Sequence, residues 1–70
     1  MPEPVYKVIE LVGTSPNSIS DAIESAITCA ASTLRNLGWF EVTQIRGALE
    51  NGGIKDYQVV LKAGFLLESK

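Results

Sequence analysis

One helical period flanked by extended stretches limits this chain more than any other feature. Ile19, Ala22, Ile23, Ala26, Ile27, Ala30, Ala31 and Leu34 recur at i, i+3 and i+4 spacing, which predicts an amphipathic helix of about four turns. Ser18 supplies an N-cap, and Asp21 three positions on supplies the carboxylate of a capping box. Gly38 is placed to close the helix in the left-handed conformation. The apolar stripe is built largely of alanine, so this helix can approach a sheet closely.

The stretches on either side read as strands. Pro2 and Pro4 keep the N-terminus extended, with Pro4 suited to a strand's first residue because it cannot donate to a ladder. Val5 to Val12 is rich in β-branched and aromatic residues with apolar side chains on both faces, which predicts strand one. Gly13-Thr14-Ser15-Pro16-Asn17 has the composition of a loop. Strand two is expected from Trp39 to about Glu50, and Asn51-Gly52-Gly53 signals a hairpin turn. Strand three is expected from Ile54 to about Leu67. Its alternation sets Tyr57, Val59, Leu61, Ala63, Phe65 and Leu67 against the helix and Gln58, Lys62 and Glu68 away from it.

The order β-α-β-β then fixes a topology. The helix carries the chain back, so strands one and two start at the same end and strand three runs opposite to both. The expected fold is α+β: a three-stranded antiparallel sheet of order 1-3-2 with one long helix across one face. The other face is left bare, and two edges remain open.

The 70 residues suit one domain, 1–70. A domain of this size buries only about 60% of its unfolded surface, so its own core is marginal. Disulfides cannot form within the chain, because Cys29 is its single cysteine, and the lack of histidine argues against a zinc site. Cys29 lies beside the apolar stripe and is expected to be a quiet, packed thiol. With 46% apolar residues, assembly with other copies is the remaining way to hide apolar surface. The net charge of −2 comes without a basic stripe, so nucleic acid is not an expected partner. No window approaches the roughly 18 consecutive apolar residues of a membrane span, and Met1-Pro2-Glu3-Pro4 does not begin a signal peptide. A cytoplasmic protein is expected.

Catalytic constellations are nearly absent. The commonest general base, histidine, is missing, and no nucleophile-elbow or phosphate-loop motif occurs. The expectation is a protein that is not an enzyme. A binding role has more to stand on. Trp39 and Phe40 leave the helix end together, and the indole either closes the core or offers a stacking surface. A three-residue loop at 51–53 pairs Glu50 with Ile54 and hence Arg46 with Gln58, as cross-strand neighbours facing away from the helix. A guanidinium can clamp a phosphate and a carboxamide can both donate to and accept from a heterocycle edge, although a solvated polar pair on a hairpin explains the same spacing. An unbroken ladder would leave Trp39 near Phe65 on the helix side, away from Gln58. A bulge in strand two, or the meeting of two subunits, would be needed to unite them.

Val-Ile-Glu-Leu-Val-Gly-Thr-Ser-Pro (8–16), Arg-Asn-Leu-Gly-Trp-Phe-Glu-Val (35–42), Ile-Arg-Gly (45–47) and Tyr-Gln-Val-Val-Leu-Lys-Ala-Gly-Phe (57–65) resemble the dodecin family, in the same order and over nearly the whole chain. The resemblance implies a β-α-β-β subunit that assembles into a hollow homododecamer and binds and stores flavin, riboflavin or FMN, stacked in pairs between symmetry-related tryptophans. On this resemblance Trp39 matches the stacking tryptophan, Gln58 the glutamine that hydrogen-bonds the isoalloxazine edge, and Arg46 a basic residue near the ribityl or phosphate part. Some members also carry coenzyme A, with no residues assignable here. The sequence departs from the pattern at Leu66, where many bacterial members have an arginine. A shell without bound flavin is the alternative reading.

Overall fold

The structure, a computed structural model, describes residues 3–67. Chain order is β1 (Tyr6–Ser15), α1 (Ile19–Ala31), β2 (Leu37–Glu50) and β3 (Gly53–Leu66). The strands form one antiparallel sheet of order β1-β3-β2, as the β-α-β-β sequence order requires. The expectations for Pro2 and Glu68 lie outside the described residues.

The N-terminus of α1 is capped as its sequence dictates, with one substitution of partner. The backbone N–H of Asp21 donates to Ser18 Oγ at 3.0 Å, a contact whose loss costs about 1 kcal/mol in comparable helices. The reciprocal half of the capping box is taken over by buried Ser15, whose Oγ accepts from the N–H groups of Asn17 at 3.0 Å and Ser18 at 3.4 Å. Asp21 instead accepts from Asn17 Nδ2.

The C-terminus differs from the expected one. The helix stops at Ala31 rather than running to Leu34, because Ser32 Oγ donates to the Cys29 carbonyl at 2.7 Å and competes with the helical ladder. The left-handed residue is Asn36, at φ 65°, and Gly38 belongs to β2. Asparagine tolerates this conformation through its short polar side chain, so the reversal is complete two residues before the glycine. Cys29, expected to be packed, is exposed, since only the Ala22, Ala26 and Ala30 line is fully turned into the core.

Strand ends shift as well. β1 begins at Tyr6, after Pro4, and continues through Gly13, Thr14 and Ser15, which pair with Val59, Gln58 and Tyr57. These three were expected in a loop. The length of β3 supplies partners for them, and Gly13 is needed where it lies. A Cβ at position 13 would collide with the Ala22 carbonyl oxygen and stand 3.0 Å from the Ala26 Cβ. The alanine stripe does bring the helix close to the sheet.

The core sits under that contact. Ala22, Ala26, Val59 and Leu61 form its buried cluster, with Leu11, Ile19, Ile23, Ile27 and Val42 packed around it. Val59 and Leu61 are completely buried, each contributing about 1.5–3 kcal/mol by leaving water. The helix lies over β1 and β3, so the helix side of β2 is largely uncovered and Phe40, Ile45 and Leu49 are exposed there. The molecule is long and thin, 56 × 21 × 13 Å.

The hairpin reaches the expected Arg46–Gln58 pairing by a different route. The turn contains two residues, not three: Glu50 pairs with Gly53 across Asn51 and Gly52, both at positive φ, the combination a two-residue hairpin turn requires. A register shift between Ala48 and Leu49 then leaves Lys55 unpaired and restores Arg46 opposite Gln58. Replacing Gly13 with alanine is expected to lower stability by about 2 kcal/mol through overpacking. Urea denaturation of Gly13→Ala checks this, and an unchanged midpoint would show that helix–sheet spacing does not limit stability.

Candidate binding face

Side chains alternate across a strand, so with Val59 and Leu61 under the helix, Gln58, Val60, Lys62, Gly64 and Leu66 of β3 point to the opposite face. Register carries this assignment to the neighbours. Gln58 stands between Thr14 and Arg46, and Gly64 stands between Val8 and Trp39. Trp39, Arg46 and Gln58 therefore share the face that α1 leaves bare.

Trp39 is there because of one extra residue. Val42 pairs with Leu61 and Gln44 with Val60, so Thr43 has no partner across the ladder. Its Oγ1 instead donates to the Val60 carbonyl at 3.1 Å, which occupies a ladder acceptor at the bulge. Upstream of Thr43 the alternation is inverted. Trp39 turns to the open face and Phe40, opposite Ala63, turns to the helix side. A bulge in strand two was one of the two devices expected to unite Trp39 with Gln58; it is present and gives both the same face, at opposite ends.

The indole lies over bare backbone. A Cβ added to Gly64 would stand 2.8 Å from Trp39 Nε1 and closer still to Cε2 and Cζ2. A glycine inside a strand often marks such an approach, which is the signal in the sequence that identifies Gly64 as part of this surface. Tyr6 meets the indole from the β1 side, with ring centroids 6.3 Å apart and planes inclined by 55°. Trp39 keeps 43% of its surface exposed, enough for a further flat group to stack on it.

Arg46 and Gln58 form the other end of the face. Gln58 is half-buried and its Nε2 donates to Asp56 Oδ1 at 3.5 Å, while Arg46 is exposed. From Gly64 to Gln58 is six residues along β3, or about 20 Å at the rise of a strand. One subunit thus unites Arg46 with Gln58 but holds Trp39 well apart from both. Among the described residues no group of three or more His, Cys, Asp or Glu side chains gathers to hold a metal ion, and no helix is long and apolar enough to cross a membrane.

Residues 5–68 match the family model described as Dodecin. The chain belongs to the dodecin family. A dodecin of Thermus thermophilus is 55% identical over 64 residues, covering 91% of this chain and 93% of the relative. The structure of a dodecin from Streptomyces coelicolor superposes with a TM-score of 0.93 at 50% identity, covering each chain completely. A tryptophan-to-phenylalanine variant of the T. thermophilus dodecin gives 0.91 at 51% identity, covering 96% of this chain and all of that one.

The dodecin fold accounts for the β-α-β-β order and the 1-3-2 sheet together. Within this dodecin the orientation of Trp39 depends on Gly64 directly. Gly64→Ala is expected to lift the indole from the sheet, reducing the near-UV circular dichroism of this sole tryptophan and moving its emission to longer wavelength. Far-UV circular dichroism should be unchanged. Retention of the wild-type Trp39 signals would show that the indole does not rest on position 64.

Proposed function

We propose that this dodecin is a non-enzymatic flavin-binding protein that stores riboflavin or FMN and quenches its photochemistry in a homododecamer. The observation that carries the reading is the inversion at Thr43, which gives Trp39 the same face as Gln58 and Arg46 and leaves the indole half-exposed over a bare glycine. A flat aromatic ligand fits that surface. Gln58 would serve the polar edge of the isoalloxazine and Arg46 the ribityl or phosphate part.

Because Trp39 lies about 20 Å from Gln58 within one chain, the site needs a second copy to contribute one end. A twofold contact duplicates every group supplied by a subunit, so two indoles and two ligands would stack together. The exposure of Val5, Tyr6, Val8, Val12, Phe40, Ile45, Leu49 and Ile54 supports assembly, since a marginal core leaves this apolar surface to be covered by other copies. Coenzyme A, carried by some dodecins, is a further ligand without assigned residues here.

The T. thermophilus relatives add support. The substituted tryptophan and two arginines of their crystallised variants are spaced seven and twenty residues apart, the spacing of Trp39, Arg46 and Leu66 in this chain. The third of these positions is a leucine here. A missing cation removes a charge-assisted bond to phosphate, so riboflavin and FMN should bind with similar affinity. Parallel fluorescence-quenching titrations check this, and FMN binding far more tightly would contradict it.

Stacking on an indole contributes about 1–3 kcal/mol per contact. Trp39→Ala is therefore expected to weaken riboflavin binding by about five- to 150-fold, with the oligomer intact by size-exclusion chromatography. Undiminished affinity would remove Trp39 from the site. Leu66 favours one second reading, a shell that holds no flavin, and wild-type protein that leaves riboflavin fluorescence unchanged would establish it.

A further inference from the structure

We infer that Tyr6 is the positioning residue of the stacking tryptophan, holding the Trp39 indole against Gly64 so that its outer face is ordered before a ligand arrives. This rests on the flavin-binding reading above and names a residue which that reading does not use. Tyr6 opens β1 opposite Leu66, and Val8, two residues on, is opposite Gly64. Its side chain therefore lies on the open face, diagonal to the glycine under Trp39. The ring centroids are 6.3 Å apart and the planes inclined by 55°, within the range where tilted aromatic pairs attract.

Three contacts then define the position of the indole. Gly64 lies beneath it, the β2 backbone holds its Cα, and Tyr6 stands beside it. The Tyr6 ring reaches the β2 backbone beside Trp39, since a Cβ on Gly38 would stand in van der Waals contact with Tyr6 Cε2 at 3.4 Å. Val8 also lies on the β1 side, directly opposite Gly64, but Tyr6 supplies the aromatic contact with the indole there. Ordering a mobile aromatic side chain at the moment of binding weakens affinity, and a side chain already held avoids that loss. Tyr6 is 46% exposed at the start of an edge strand, so its replacement leaves the buried core untouched.

The test compares Tyr6→Phe, which keeps the ring, with Tyr6→Leu, which keeps apolar bulk alone. In ligand-free protein, Tyr6→Leu should lower the near-UV circular dichroism and the fluorescence anisotropy of Trp39, and Tyr6→Phe should preserve both. With riboflavin, Tyr6→Leu should bind about three- to tenfold more weakly and Tyr6→Phe like wild type. Unchanged Trp39 signals in Tyr6→Leu overturn the inference, including the case in which affinity alone falls, since Tyr6 would then touch the ligand rather than order the indole. Failure of wild-type protein to quench riboflavin counts against the flavin reading instead, and the ligand-free signals still decide whether Tyr6 holds Trp39.

Discussion

Alanine at positions 22, 26 and 30 lets α1 descend until the Ala22 carbonyl fills the space that a side chain at position 13 would need. A helix this close to a sheet, and only 13 residues long, seals two strands and no more. Val59, Leu61 and Ala63 of the central strand are completely buried as a result. Beyond the width of that contact, most of the helix side of β2 outside Val42 is left to solvent, as is most of the opposite face, where Val60 and Gly64 of the central strand remain buried. The apolar side chains on these surfaces make the isolated subunit look unfinished, and the same surfaces contain every residue of the candidate site.

The two faces are not independent. Thr43 inverts the alternation of β2 between the part that supports the core and the part that carries Trp39. Downstream of it, Arg46 and Gln58 face outward in the phase set by the hairpin. Upstream, Trp39 faces outward although unbroken alternation would turn it inward. The hydroxyl of Thr43 makes this tolerable, since it bonds to the Val60 carbonyl.

Much of this fold can be read directly from residue spacing. The period from Ile19 to Leu34, the N-cap at Ser18 and the alternation of 57–67 suffice for the β-α-β-β order and for the 1-3-2 sheet. The ends of elements are less legible, because they depend on local competition. Ser32 ends the helix with a hydroxyl, and Asn36 does what a glycine was expected to do. The Arg46–Gln58 pairing emerges from counting only because two departures cancel, a turn one residue shorter and a bulge at Lys55. The side of the sheet taken by Trp39 is not legible from periodicity, since a single unpaired residue reverses the answer and Thr43 carries no mark of it. Gly64 is the exception: a glycine within an otherwise well-patterned strand signals that something lies on it.

The inversion at Thr43 also separates two kinds of tolerance in this chain. Seven residue steps of β2 from Trp39 to Arg46 stand against six of β3 from Gly64 to Gln58, and Thr43 absorbs the difference. Loss of the Thr43 codon would join Val42 to Gln44 in plain alternation, with Trp39 still opposite Gly64 and the Val59–Leu61 core chemically unaltered. A gained codon has no such outlet, since each added residue needs an unpaired position of its own or moves the indole off Gly64. A gene encoding this chain can shorten 40–45 by one residue at less cost than it can lengthen it.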